Sequence, residues 1–462
     1  MEKGALMGRE LTVHVGFDDT DSARGGCTTY LASLAAERLV ELGARFLDYP
    51  NLVRLNPNVP WKTRGNGALC LRFKLEDDRL GEAVEVLVKL LEKEAVLEDP
   101  YTNPALAVLV GWPSVELRRL AMKAVTGIVK VEEALKVAEE EGVELHCLKE
   151  ARGVVGALAA LGETLEGDHT YELIAYRAPQ SLGSPRKVDA SSVVEMDRLT
   201  RPLTFNNLDF EAFRVLITPH GPDPVLYGVR GETAEAVRHA STLIKVEEPV
   251  ERWTIFRTNQ GTDAHLKPAT VADAHEHLPV AIKGTVASKP RTIPGGHVVF
   301  TLSDGTGNID CAAYEPTGSF RKIVLALQPG DEVVVYGGVR PPGPSNPKTI
   351  NLEKLLIVKL TSLRIAINPT CKRCGAKLES MGKGKGYRCR KCGEQYPHAK
   401  KTWITKPRKL VETLYIPPPR AHRHLTKPYS RYGREKTGGP LPLAPLSPSQ
   451  FLWVNPSFKK AP

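Results

Sequence analysis

The sequence predicts a multidomain α+β protein, and three observations carry that reading. A short apolar strand, LTVHVGFD (11–18), runs through an acidic turn into the apolar-periodic helix TTYLASLAAERLVELGA. Five apolar strands divided by glycine turns fill residues 278–362, and two Cys-x2-Cys pairs crowd into residues 371–392. At 462 residues the chain exceeds one ordinary core. A norm of about 100–200 residues per domain implies three or four units.

The first unit reads as strand, acidic turn, helix, because Leu31, Leu34, Ala35, Leu39 and Leu42 share one helical face. A Pro-, Arg- and Asn-rich loop follows, RLNPNVPWKTRGNG (54–67). From Ala68 the pattern becomes strand (ALCLRFKL), helix (80–95) and strand (PALAVLVGW, 104–112). A matching set arrives later: FRVLITP, PVLYGVRG, the helical TAEAVRHASTLI and ERWTIFRT. Between the two sets lie helical stretches at 115–126 and 131–141, the helix ARGVVGALAALG and the strand YELIAYR. Either four small units follow in line or one domain is split around another. The split is preferred, since each half alone has too few strands to cover a helix face. It assigns 1–65 and 120–205 to a discontinuous α/β domain, and 66–119 and 206–258 to a ferredoxin-like domain.

Residues 278–362 add a helical stretch between strands three and four, the order of an OB-fold barrel whose open face binds single-stranded or loop nucleic acid. Another small barrel remains the alternative. In 368–396, Cys371, Cys374, Cys389 and Cys392 have the spacing of a structural Zn²⁺ ribbon with Zn–S of about 2.3 Å. Four thiolates leave no open coordination position, so the ion is expected to fold the ribbon and to take no part in catalysis. The other four cysteines are scattered, which fits a reducing compartment better than a disulfide framework.

Charge is distributed unevenly. Residues 371–462 hold 21 Lys and Arg against 4 Asp and Glu, a net +17. The whole chain is +10, so residues 1–370 carry −7. The basic part suits a polyanion, with nucleic acid foremost and a solvated basic tail the bland alternative. Lys372, Arg373, Lys383, Lys385, Arg388, Arg390 and Lys391 decorate the ribbon. Residues 400–436 mix eleven Lys and Arg with Trp403, Tyr415, Tyr429 and Tyr432. The prolines of 397–462 predict an extension that orders only on its ligand. No apolar run approaches the roughly 20 residues of a bilayer span, and the N-terminus lacks the pattern of a secretory signal. A soluble, cytoplasmic protein is expected.

GFDDTDSARGGCTTY (16–30) places Asp18, Asp19 and Asp21 within four positions. Carboxylates this close repel, a cost most readily offset by a divalent cation, and Mg²⁺ prefers such oxygens together with substrate phosphates. The helix starting near Thr28 favours an anion, and Gly25 and Gly26 let backbone approach it. Thr28 is then either a helix N-cap or a hydroxyl beside an activated phosphoryl group. A Ca²⁺ loop or a solvated acidic turn are further readings of DDTDS alone. No G-x4-G-K-[ST] loop occurs.

GFDDTDSARGGCTTYLA, RLNPNVPWKTRGNGA, RGVVGALAALG, FRTNQGTDAHL, the OB-like stretch and the four-cysteine ribbon, in that order, resemble the archaeal 2-agmatinylcytidine synthetase family, TiaS. The resemblance covers most of 11–396. It implies that the N-terminal domain is an atypical kinase. The activity implied is the ATP-dependent joining of agmatine to C2 of the wobble cytidine in the CAU-anticodon isoleucine tRNA, through a phosphorylated cytidine, so that AUA is read. The family converts ATP to AMP and phosphorylates its own threonine, which matches Thr28 here, with Thr20 the alternative. Asp18, Asp19 and Asp21 would hold Mg²⁺ with the triphosphate. Thr20, Ser22, Gly25, Gly26, Arg64, Gly65, Asn66, Arg152 and Gly153 are the implied ATP and phosphate contacts. FRTNQGTDAHL points to RNA contact by Arg257, Asn259, Gln260 and Thr262, with Lys372, Arg373, Arg388, Arg390 and Lys391 on the ribbon. Asp209, Asp223 and Glu232 are candidate acceptors for cationic agmatine. Two competing classes remain: a non-catalytic OB and zinc-ribbon nucleic-acid-binding protein, and a Mg²⁺-dependent nuclease or phosphatase.

Overall fold

The computed structural model describes residues 9–62, 65–344, 346–437 and 445–458. Strand Gly67–Glu76 is buried along almost its whole length, on both faces, as suits a central strand with the largely apolar run GALCLRF, broken only by Arg72. It lies between Glu10–Asp18 and Asn51–Arg54, with Cys70 opposite both Gly16 and Asn51. The sheet has eleven strands. Its main path is Glu144–Cys147, Ala105–Val110, Glu10–Asp18, Gly67–Glu76, Asn51–Arg54, Val250–Thr258, Thr170–Arg177, Val225–Gly231 and Thr204–Phe205. One parallel junction joins the halves, Arg257 to Asn51 and Thr258 to Leu52.

This order corrects the split division. Strands Gly67–Glu76 and Ala105–Val110 flank Glu10–Asp18, so 66–119 pairs with the first strand and not with 206–258. Likewise Thr170–Arg177, expected in the first domain, pairs with Val225–Gly231 and Val250–Thr258. Local apolar patterns specify strands but not their partners, and partner choice here follows the chain order across about residue 150.

Several helix starts follow the usual chemistry: the side chains of Ser114, Asp189 and Thr233 each accept an N–H in the first turn of their helix. Helix Thr28–Glu41 departs from it. Cys27 occupies the cap position without a side-chain cap bond, and Thr28 is the first helical residue. Its N–H is taken by Asp21 Oδ1 at 2.8 Å. Arg72, buried in the central strand, donates to the carbonyls of Ala160, Leu161 and Glu163 at the end of helix Val154–Gly162. A cation there complements the helix dipole and satisfies its last carbonyls.

The five strands Pro279–Val286, His297–Ser303, Asn308–Ala313, Glu332–Arg340 and Thr349–Lys359 close into a barrel, with helix Phe320–Leu325 between the third and fourth. A two-stranded arm, Leu363–Ile367 with Thr402–Lys406, carries the ribbon.

The extension, expected to order only on its ligand, is packed in its described residues, 397–437 and 445–458. Leu414–Tyr415 pairs with the barrel and Leu452–Val454 with Val250–Thr258. Phe451 is fully buried in the core of the large sheet. Arg431 is fully buried between Asp168 and Glu232 at 2.8 Å from each. Its charge is offset by carboxylates distant in sequence, so a basic residue is buried here without being left unpaired. Among the described residues no helix is long and apolar enough to cross a membrane.

Candidate active site

The acidic turn emerges from the end of strand Glu10–Asp18. Asp19 holds a left-handed φ of 59°, and Gly25 and Gly26 are also left-handed at 135° and 71°. A Cβ on Gly26 would lie 2.5 Å from the Thr20 carbonyl. A non-glycine residue in this region is strained, and such strain persists only where surrounding structure enforces it. Here the Asn103 N–H reaches Asp19 Oδ2 at 3.2 Å and Arg152 lies 3.4 Å from it.

Asp18, Asp19, Asp21 and Thr28 line a cavity of about 260 Å³. Its other walls include Trp61, Lys62, Gly65, Asn66, Lys130, Arg152 and Gly156. Burial, and then the charges of Asp19 and Asp21, push the Asp18 carboxyl well above the usual carboxylate range. Burial likewise pushes Asp19 up to about 6, against the opposing pull of Arg152. Both groups are poised to gain a cation.

Thr28 sits at the centre of the turn. Thr20 Oγ1 donates to Thr28 Oγ1 at 2.9 Å, and Thr28 Oγ1 donates to Asp21 Oδ1 at 3.1 Å. Behind it lies a second cavity, of about 330 Å³, which shares Asp21, Thr28, Gly65 and Gly67 with the first. Apolar Leu52, Leu69, Ile174 and Ile217 and charged Arg54, Glu172, Asp223 and Arg230 line it. Thr28 therefore belongs to the lining of both chambers.

The structure sorts the expected site residues. Asp18, Asp19, Asp21, Thr28, Gly65, Asn66 and Arg152 line the first cavity. Thr20, Ser22, Gly25 and Gly26 do not: Thr20 is buried beneath Thr28, Ser22 Oγ donates to Asp99 at 2.5 Å, and the glycines close the turn. Gly153 is packed so closely that a Cβ there would lie 2.3 Å from the Asn103 carbonyl, and it is not in the lining of the first cavity. Gly156, which sequence reasoning did not single out, lines that cavity, and a Cβ there would lie 1.8 Å from Asp18 Oδ2. Arg64 lies outside the described residues.

FRTNQGTDAHL is not an open RNA-contacting loop. Arg257, Asn259, Gln260 and Thr262 are all buried. Arg257 pairs with Asp48 at 2.9 Å, and Asn259 brackets the backbone of Arg54 at 2.7 and 2.9 Å. Gln260 donates to Glu172, and Thr262 Oγ1 donates to the Asn259 carbonyl at 2.6 Å. In this structure their polar groups are turned to partners inside the protein and not to an open surface. Among the candidate agmatine acceptors, Asp209 is held by Arg420 and Glu232 by Arg431. Asp223 is also paired, with Arg186 at 3.4 Å, but of the three it alone is in the lining of the second cavity, together with Glu172, which sequence reasoning missed and which Arg230 pairs at 3.1 Å.

In the ribbon, the four cysteine sulfurs converge within 4.8 Å of one another. Cys371 and Cys392 are 3.5 Å apart, Cys374 and Cys389 3.4 Å. Four sulfurs at tetrahedral zinc, with Zn–S of about 2.3 Å, require this kind of cluster, so the residues fit the ion. Lys372, Arg373, Arg388, Arg390 and Lys391 are all exposed around it.

Comparison with known proteins places this arrangement. Family models for the TiaS TCKD domain match 14–150 and for the TiaS FLD domain 151–265. The tRNA 2-agmatinylcytidine synthetase TiaS of Staphylothermus marinus, named for an isoleucine tRNA, is 43% identical over 456 residues, covering 97% of this chain and 99% of that protein. The chain belongs to the TiaS family. The TiaS of Pyrococcus horikoshii is 44% identical, over 90% of this chain and 97% of that protein. The TiaS C-terminal zinc ribbon domain matches 368–410, and an OB-fold nucleic acid binding domain matches 280–358. The two N-terminal TiaS models meet at 150/151, where the strand order also passes from one half of the sheet to the other. A crystal structure of TiaS in complex with its isoleucine tRNA and ATP superimposes with a TM-score of 0.82 at 42% identity, covering 91% of this chain and 97% of that one. A TiaS complex with the same tRNA, AMPCPP and agmatine gives 0.80 at 38% identity, with the same coverage.

Proposed function

We propose that this protein joins agmatine to C2 of the wobble cytidine of the CAU-anticodon isoleucine tRNA at the expense of ATP. The observation that supports the reading is the position of Thr28, which lines both cavities and whose hydroxyl donates to the half-buried Asp21 carboxylate. The first cavity suits a nucleotide. Trp61 offers an aromatic face, and Lys62, Lys130 and Arg152 surround space closed by Asp18 and Asp19. Asp18, Asp19 and Asp21 would hold Mg²⁺, for which an all-oxygen set of carboxylates is chemically suited. When bound, the ion would offset charge on the phosphate oxygens.

The second cavity is assigned to cytosine and agmatine. Its apolar walls fit the ring and methylenes, and Glu172 and Asp223 supply acceptors for a guanidinium. Cytosine O2 is a poor leaving group as oxide, so phosphorylation of that oxygen must come first. The agmatine amine then bonds to C2, the C2–O bond breaks with its electron pair leaving on phosphate, and the amine loses a proton. Asp21 is placed to orient and accept from the Thr28 hydroxyl during the enzyme's own phosphorylation. The exposed cations of the ribbon are assigned to the tRNA backbone.

The test uses labelled ATP with Mg²⁺, in the presence and absence of CAU-anticodon tRNA and agmatine. Label on the protein and an agmatine-dependent tRNA product support the reading. Absent nucleotide turnover leaves a binding protein, and ATP-independent cleavage of RNA or monoester leaves a nuclease or phosphatase.

A further inference from the structure

The second cavity contains one residue from the far end of the chain. His424 lines it, although the rest of its described lining comes from residues 21–230. The segment that delivers His424 is fastened at every step. Arg420 binds Asp209 at 2.7 Å, and Arg423 binds Glu353 at 3.2 Å and the Pro57 carbonyl at 3.1 Å. The N–H groups of Gly261 and Asp263 donate to the carbonyls of His424 and Leu425, both at 2.8 Å. Arg431 closes the series against Asp168 and Glu232.

The imidazole is held as firmly as its backbone. Gln260 Nε2 donates to Glu172, which leaves Gln260 Oε1, 3.2 Å from Nδ1, to accept the Nδ1–H; Arg230 Nη2 then lies beside the same nitrogen at 3.3 Å without bonding it. Gln260 and Arg230 both also bind Glu172, the latter at 3.1 Å. The other edge of the ring abuts Gly65: a Cβ there would lie 2.7 Å from His424 Nε2. Gly65 and Gly67 line both cavities, so the ring supports the partition between them. The charge of Arg54, burial and the charge of Arg230 hold the imidazole well below its usual pKa, which keeps it a neutral hydrogen-bonding spacer between two guanidiniums.

We propose that His424 is a positioning residue for the tRNA-directed half of the reaction. It sets Gln260, and through it Glu172, beside Arg230 at the second cavity, and braces Gly65 against that cavity's partition. The C-terminal segment is thereby part of the reaction chamber. The proposal rests on the functional reading above. A misplacement of about 1 Å in such a shell lowers turnover about 10²-fold.

The experiment compares full-length, zinc-loaded wild type, His424→Ala and His424→Gln with CAU-anticodon tRNA, agmatine and ATP. His424→Ala is expected to lower kcat for tRNA product by about tenfold or more, with KM for ATP within about twofold, since His424 lines only the second cavity. His424→Gln, which keeps a donor and an acceptor, is expected to restore most of the rate. An active wild type with an equally active His424→Ala overturns the proposal and spares the functional reading. Equal loss in both variants, or a KM for ATP that rises in step with the fall in kcat, also overturns it. A wild type that makes no agmatine-dependent product overturns the functional reading itself.

Discussion

Asp21 Oδ1 accepts both the backbone N–H and the side-chain hydroxyl of Thr28, at 2.8 and 3.1 Å. One carboxylate oxygen thus caps a helix and aims the hydroxyl at its N-terminus, while Thr20 occupies a lone pair of the same Oγ1 from the other side. Replacing Thr28 by Ser keeps this triangle, and replacing it by Ala removes the acceptor of the phosphoryl group. Thr28→Ser is expected to retain label from ATP on the protein, and Thr28→Ala to lose it together with tRNA product, by about 10²-fold or more. tRNA affinity, measured by filter binding, should not change. A Thr28→Ala protein that modifies tRNA at the normal rate contradicts the assignment.

Asp19 titrates near 6 instead of near 3.8 because it is buried. Its folded-state pKa is raised, so its contribution to stability is fully present below the ordinary carboxylate value and is lost as pH rises through about 6. Asp19→Asn should therefore raise the melting midpoint of the unliganded protein by about 2–4 °C near pH 7.5, with the gain shrinking as pH is lowered through about 6. The same substitution should abolish turnover. In the wild type, nucleotide with Mg²⁺ should bind with release of protons near pH 6, visible as a dependence of calorimetric heat on the buffer.

Gly156 leaves room for the Asp18 carboxylate that no side chain can share. Gly156→Ala should displace Asp18, reduce product formation about 10²-fold and leave tRNA binding within about twofold. A fully active Gly156→Ala enzyme would show that the carboxylate's position is immaterial.

Cys389→Ala, or metal removal by a chelator, should unfold the ribbon and weaken tRNA binding while ATP still binds. The ribbon's cations act through counterion release, so the slope of log affinity against log salt should fall by about 0.9 for each phosphate that is no longer neutralised. Deleting all of 371–462 is a poor substitute, because it also removes Phe451 and Arg431 from the large sheet.

Whatever depended on local pattern was legible in the sequence. The strand, acidic turn and helix around Asp18–Thr28, the five-stranded barrel and the cysteine spacing are all features of neighbouring residues. Strand partnership was not. The apolar run at 67–76 reads as a strand in either topology, and only the complete sheet sets it beside Glu10–Asp18. Polar Arg257, Asn259 and Gln260 look like surface because their partners, Asp48, the Arg54 backbone and Glu172, lie far away in sequence. The same holds for Arg431, whose carboxylates sit about 200 and 260 residues upstream, beyond any motif. Gly156 was within reach, inside the same RGVVG segment that drew attention to Arg152.

Arg420, His424, Arg431 and Phe451 have a consequence for biosynthesis. These residues leave the ribosome after the ATP-side chamber, the barrel and the ribbon have been translated, yet they pack into the sheet and the substrate chamber formed by roughly the first 260 residues. On the functional reading proposed above, a polypeptide that stopped before Arg420 would hold the first cavity without the contacts that complete the second, and would be expected to bind nucleotide without modifying tRNA.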